Sequence, residues 1–441
     1  MSGVGEPLAT APRLMVPFQL PVDADVHIPG SKSLTNRALV CAALSVGTTQ
    51  LIGALRADDT DAMIECLRAL GINITSSVDG TVLDVVGSSG HLAPGPVTLD
   101  ARLSGTTSRF VAPLLVLGSG NYVLDAAAPM RQRPMADLAQ ALVDLGVAVD
   151  TAPGGHLPFT VVGGGAVTVN VNVPGAVSSQ FLSGLLLMAP CLPHGLTVEV
   201  TGPLVSRSYV DMTVAVMREF GAVVDEPSSA RFVIAGSGYR SPGGYAIEPD
   251  ASAASYFLGA AAITRGSVRI AGLGVGSPQG DVRFAHILGR MGATVDVDEG
   301  GINMRANGPL HGLTVDMADC SDTAQTLAAV AVFAEGPTKV TGIGFIRGKE
   351  TNRIAAVVNE LRRCGIRAEE ESDGFVVHPG HPEPTLVSTY GDHRMAMSFA
   401  LLGLRAPGIA IDDPGVVDKT FPGYFEELET LRRNAALEER P

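Results

Sequence analysis

Lysine is scarce in this chain: of 31 lysines and arginines only four are lysines, Lys32, Lys339, Lys349 and Lys419. Long apolar runs are missing too. Its apolar stretches, such as residues 181–188 and 257–263, fall well short of the ~20 residues a bilayer requires, so no membrane segment is expected. Cysteine is sparse and unpatterned. Cys41, Cys66, Cys191, Cys320 and Cys364 form no CxxC or His-spaced pair, which argues against a disulfide framework or a zinc site and makes them small buried hydrophobes. A basic excess is absent as well: a formal net charge of -14 opposes nucleic acid or an anionic membrane as partner. The opening MSGVGEPLATAPRL has no basic stretch followed by a long apolar run, so it reads as a disordered leader rather than a signal peptide, and a cytoplasmic protein is expected.

Against that background the placement of the lysines is informative. Lys32 lies in PGSKSLTNR, Lys349 in RGKETNR and Lys419 in VVDKTFPGYF, all polar loops, while Lys339 sits in an ordinary strand-like stretch. Where arginine serves nearly every other need, a retained lysine marks a place for a compact, titratable ammonium rather than a planar guanidinium. Chemistry on a small anion fits that pattern.

A length of 441 residues exceeds what one core usually organises, so two or three domains are expected. A helix-period segment ending in glycine and followed by a strand-like run recurs five times: MIECLRALG, LAQALVDLG, TVAVMREFG, AHILGRMG and VVNELRRCG. The stop glycines, Gly71, Gly146, Gly221, Gly292 and Gly365, stand 75, 75, 71 and 73 residues apart. A fixed step marks repetition of one supersecondary unit, and glycine suits the left-handed residue that ends a helix. Alternating with these are segments apolar almost all round, starting near Asn36, Ser108, Ser179, Ser252, Asp322 and Asp392. Such helices belong in a core, whereas the first series keeps a polar face and belongs outside. The sixth outer helix, FEELETLRRNAAL, is followed by no strands, so N-terminal strand-like sequence is expected to complete the last unit. Six α/β units then divide three and three, with residues 1–28 and 246–441 in one domain and 29–245 inserted as the other.

Each buried helix opens on a polar cluster: SKSLTNR, SGTTSR, SSQ, DASAAS, CSDTAQ and GDHR. One such cluster is accounted for by capping. Six in equivalent places, several with Lys or Arg, point to a shared anion site at helix N-termini. RGKETNR adds Arg347, Lys349, Glu350 and Arg353 within seven residues, embedded between apolar stretches, and a Glu among cations can move a proton beside a bound phosphate.

PGSKSLTNRAL, SGTTSR, QRPM, VSSQFL, LVSRSYVDMT, SDTAQT, KETNR, YGDHRMAM and DKTFPGYF, in that order, closely resemble the signatures of the 5-enolpyruvylshikimate-3-phosphate synthases, over residues 16–428. The resemblance implies a shikimate-pathway transferase that moves the enolpyruvyl group of phosphoenolpyruvate to the 5-hydroxyl of shikimate 3-phosphate and releases phosphate. It implies two domains of three βαβαββ units each, an inverse α/β barrel with its active site in the cleft, no metal and no organic cofactor. By motif, Lys32, Ser33, Arg37, Ser178, Ser179, Gln180, Ser206, Tyr209, Asp322 and Lys349 are implied to hold shikimate 3-phosphate. Phosphoenolpyruvate falls to Lys32, Gly105, Thr106, Arg133, Gln180, Arg353, Arg394 and Lys419. Lys32, Asp322 and Glu350 are the implied proton-transfer groups, and a monomer is expected.

The pattern departs from the family at Leu103, where Asn is usual, at Asn352, where Asp is usual, and at Phe345, where many members carry a polar or basic residue. These leave open a paralogue acting on another hydroxyl acceptor. UDP-N-acetylglucosamine enolpyruvyl transferase is the nearest rival, but DAAAPMRQ before Pro134 lacks that family's reactive Cys or Asp. A catalytically silent anion-binding homologue would be expected to have lost a proton-transfer residue, and all three are present.

Overall fold

The computed structural model describes residues 11–437 of the chain, so most of the expected leader lies outside the described residues. Two compact units emerge. One comprises Pro29–Asp250 with Pro278–Gly280; the other comprises residues up to Ile28, Ala251–Ser277 and the chain from Asp281 onward. Each has its own hydrophobic core. The fold is the two-domain inverse α/β barrel, with three repeats in each unit.

In the Pro29–Asp250 unit the inner helices are Lys32–Leu44, Gly105–Leu114 and Ser179–Met188. In the other they are Ala251–Thr264, Ala324–Ala331 and His393–Ala400. Every residue of Ala251–Thr264 is buried, as a helix without a polar face requires. The outer helices are amphipathic, and all five stop glycines adopt positive φ, from 76° to 117°. That is the left-handed geometry glycine supplies at a helix end.

The sheets repeat one pattern. The strand before an inner helix runs parallel to the strand after it, and a hairpin then adds two antiparallel strands: Val97–Asp100, Gly120–Asp125, His156–Gly163 and Val149–Ala152 line up in that order. The first and fourth repeats borrow their leading strand. Gly244–Ala246 pairs parallel with Thr48–Ile52, closing the first repeat's sheet, and Asp23–Asp25 pairs with Ser267–Ala271 of the fourth. Because Gly244–Ala246 is hydrogen-bonded in this way, the chain stays with the inserted unit as far as Asp250, five residues past Tyr245. At the other end Arg13–Leu14 pairs with Ile409–Ile411, so one N-terminal strand completes the last sheet and the next serves the fourth. No helix among the described residues is long and apolar enough to cross a membrane.

Candidate active site

The inner helices start on side-chain caps. Ser31, Ser104, Ser178 and Asp392 accept from Leu34, Thr107, Gln180 and Arg394 backbone N–H groups respectively. These starts carry several of the residues that the sequence singles out, and each unit gathers its own set.

In the Pro29–Asp250 unit, Lys32 is the first residue of its helix. Its backbone N–H donates to Asp250 Oδ2 at 3.0 Å, and its Nζ lies 3.3 Å from Asp59 Oδ2, both side chains being largely buried. Arg37, one turn on, is only 2% exposed. Its guanidinium donates to Thr213 Oγ1, to the Ser33 carbonyl and to the Tyr209 carbonyl at 2.8, 2.8 and 3.0 Å, with Phe110 beneath it. It therefore ties its own helix to Arg207–Glu219. Burial pulls the Arg37 pKa down to about 10, and the weaker influence of Tyr209 does not restore it.

Ser206 precedes Arg207–Glu219 in a left-handed conformation, φ 52°, which costs a non-glycine residue of order 1–3 kcal/mol. It is buried, and its carbonyl accepts from the Tyr209 N–H. On the neighbouring helices Gln180 is fixed at both ends of its amide: Arg109 Nη1 donates to Oε1 at 2.6 Å and Nε2 donates to Thr106 Oγ1 at 3.1 Å. Gly105 lets Arg133 approach, since a Cβ there would stand 2.6 Å from the Arg133 Nη1. Ser178 and Ser179 are buried at their helix start.

The second set is a chain of alternating charge. Lys419 Nζ donates to Glu350 Oε1 at 3.0 Å, and Glu350 Oε2 accepts from Arg353 Nη2 at 2.8 Å. Arg353 Nη1 reaches Asp322 Oδ1 at 3.1 Å, and Asp322 Oδ2 accepts from Arg394 Nη2 at 2.6 Å. Behind them Asp392, fully buried, accepts from Arg353 Nε at 2.7 Å. Burial alone would lower the Arg353 pKa, but Asp392, Glu350 and Asp322 outweigh it and hold the group above the ordinary arginine value. Arg353 thus joins both proposed proton-transfer carboxylates. Lys349 Nζ lies 5.9 Å from the centre of the Phe345 ring.

Against protein families, residues 18–428 match the model for EPSP synthase (3-phosphoshikimate 1-carboxyvinyltransferase). The chain belongs to the EPSP synthase family. Among curated relatives it is 44% identical over 407 residues to the 3-phosphoshikimate 1-carboxyvinyltransferase of Trichormus variabilis, covering 92% of this chain and 95% of that one. It is 43% identical over 413 residues to that of Klebsiella pneumoniae, covering 93% and 96%. Among solved structures it is similar to an EPSP synthase from Acinetobacter baumannii, with a TM-score of 0.81 and 26% identity over 96% of this chain and 98% of that one.

Two departures from the EPSP synthase pattern acquire structural settings. Asn352 caps helix Arg353–Arg363, its Oδ1 accepting from the Ala355 N–H at 3.2 Å. Phe345 packs against the core and carries Lys349 over its ring. Leu103 is 44% exposed. The sequence reading gave no site role to Asp59, Asp250, Arg109 or Asp392, which hold Lys32, Gln180 and Arg353. Asp392 stood two residues from Arg394 in GDHR, the clearest available signal. Asp59 lies 27 residues from Lys32, and no local pattern links them.

Proposed function

We propose that this member of the EPSP synthase family transfers the enolpyruvyl group of phosphoenolpyruvate to the 5-hydroxyl of shikimate 3-phosphate, on the route to chorismate and the aromatic amino acids. The observation that carries the reading is the Lys419–Glu350–Arg353–Asp322–Arg394 chain, in which two carboxylates are held on one buried guanidinium among further cations. Such a set suits a reaction with two proton transfers beside polyanions.

A proton adds to the methylene carbon of phosphoenolpyruvate while the acceptor hydroxyl forms a C–O bond to its C2 and gives up its own proton. The tetrahedral adduct then breaks its C–O bond to phosphate and returns a methyl proton, restoring the double bond. Glu350 serves the carbon and Asp322 the hydroxyl, each worth about 10²-fold or more, with Lys32 or Lys349 sharing the work. Arg353, Arg394, Arg133 and Lys419 receive the carboxylate and phosphate of the donor, with Gly105, Thr106 and Gln180 nearby. Lys32, Ser33, Arg37, Ser178, Ser179, Gln180, Ser206, Tyr209, Asp322 and Lys349 contact the acceptor, and Arg37 also holds the helix on which Lys32 and Ser33 lie. Proton transfer and anion binding of this kind call on no metal or organic cofactor.

A monomer is the proposed state. The five cysteines are free, as suits a reducing compartment such as the cytoplasm. The test is phosphate release from phosphoenolpyruvate with shikimate 3-phosphate, beside UDP-N-acetylglucosamine and acceptor-free controls. Release with shikimate 3-phosphate alone is expected. Folded protein that stays silent with it would overturn the reading and turn attention to Leu103 and Phe345 as determinants of another acceptor.

A further inference from the structure

Glu360 is a fully buried carboxylate that the proposed chemistry does not use. It lies on the outer helix Arg353–Arg363, seven residues after Arg353, so about two turns bring both side chains to the same face. That face grips one loop at two points. Arg353 holds Asp392 at 2.7 Å. Just upstream, Glu360 Oε2 accepts from the Ser388 backbone N–H at 2.9 Å and Oε1 accepts from the Tyr390 hydroxyl at 2.8 Å. Arg363 Nη1 adds a third contact to Glu360 at 2.5 Å.

The loop needs holding. Tyr390 has φ 56° and Gly391 φ 67°, and a bulky side chain rarely adopts the left-handed region unaided. Burial first, and then the Glu360 carboxylate, push the Tyr390 hydroxyl up to about 12, so it remains a proton donor across the physiological range. The Thr389 N–H is tied in turn to Asp412 Oδ1 at 2.9 Å. The loop ends on Asp392, whose Oδ1 accepts from the Arg394 N–H at 2.9 Å and so starts the inner helix that carries Arg394. A purely structural ion pair accounts for Arg363 but not for the Ser388 and Tyr390 contacts, which fix backbone leading straight to Asp392.

We propose that Glu360 is a positioning residue: through Ser388 and Tyr390 it sets the loop that places Asp392 against Arg353 and starts the Arg394 helix, and thereby tunes affinity for phosphoenolpyruvate. This rests on the reading that Arg353 and Arg394 receive the donor's anionic groups.

Two variants of the full chain test it. Tyr390→Phe deletes one hydrogen bond from a partly exposed ring and should leave folding intact; Glu360→Gln removes the charge. The expected result is a rise in KM for phosphoenolpyruvate of about 5-fold in the first and about 10-fold or more in the second, with kcat and KM for shikimate 3-phosphate within about twofold, the signature of lost donor binding. Faster amide exchange confined to residues 388–394 should accompany it. An unchanged donor KM in Tyr390→Phe, an equal rise for both substrates, or unchanged exchange in that loop overturns the proposal, whether or not Glu360→Gln folds. If the wild type releases no phosphate with shikimate 3-phosphate, the acceptor reading fails, and the exchange measurement still decides the clamp.

Discussion

Arg37 and Arg353 are two arginines at the same depth, each 2% exposed, yet their surroundings push them in opposite directions. Arg37 is met by a hydroxyl and two carbonyls, so desolvation dominates and its pKa falls to about 10. Three carboxylates meet Arg353, and its charge is held more firmly than in water. One guanidinium is therefore a strut whose charge is a cost carried by packing and neutral acceptors. The other is the hub of an ion network in which removing any member strands another. The charge states of Glu350 and Asp322 are thus coupled through Arg353, whereas no carboxylate appears among the hydrogen-bond partners described for Arg37.

The sharpest way to break this comparison is to replace both hubs with the same neutral side chain. Arg353→Met leaves Asp392 fully buried without its guanidinium, and the loss of one partner from a buried ionic cluster costs about 3–5 kcal/mol. Arg37→Met leaves only neutral acceptors unpaired, for about 1–3 kcal/mol. Urea unfolding of the two variants should show the first loss clearly larger, with activity abolished in Arg353→Met. Equal losses would show that the carboxylates around Arg353 are not what distinguishes it.

Next in size is Glu350→Gln. The amide can still accept from Arg353 or Lys419, so the fold should persist. The proton route does not, and kcat is expected to fall by about 10²–10⁴-fold with KM for shikimate 3-phosphate nearly unchanged. Turnover within threefold of wild type would remove Glu350 from the mechanism and leave it as a spacer between cations.

Much of this was legible because it was local or periodic. The glycine step exposed the repeats, the absence of a polar face sorted inner helices from outer ones, and the polar openings of the inner helices marked candidates such as Lys32, Gln180 and Arg394. Pairings across repeats left no such trace. That Gly244–Ala246 closes the first sheet depends on hydrogen bonds to a strand nearly two hundred residues away, which no periodicity encodes. Asp59 under Lys32 and Glu360 under Tyr390 were equally hidden, since each carboxylate sits on an outer helix whose sequence reads as ordinary surface charge.

Gly105→Ala probes the other unit. The added Cβ would stand 2.6 Å from the Arg133 Nη1, so the end of that side chain must swing away while the backbone stays put. Donor KM should rise about 10-fold, equivalent to ~1.4 kcal/mol, with little change in melting temperature. An unmoved KM would mean that Arg133 does not contact phosphoenolpyruvate from this position.

The smallest effect is expected at Asn352, and it bears on whether departures from the family pattern alter function. Asn352 Oδ1 accepts from the Ala355 N–H and from Arg347 Nη1, each at 3.2 Å. A carboxylate would keep both contacts, and Asn and Asp are near equals as caps. The added negative charge at a helix N-terminus and beside Arg347 favours Asp by about 0.3–1 kcal/mol, against which stands repulsion from Glu350 two residues back. Asn352→Asp should therefore raise stability by less than about 1 kcal/mol in thermal unfolding and leave both KM values where they were. A changed acceptor KM would instead make Asn352 a specificity determinant, because a cap that only closes the helix has no means of distinguishing one hydroxyl substrate from another.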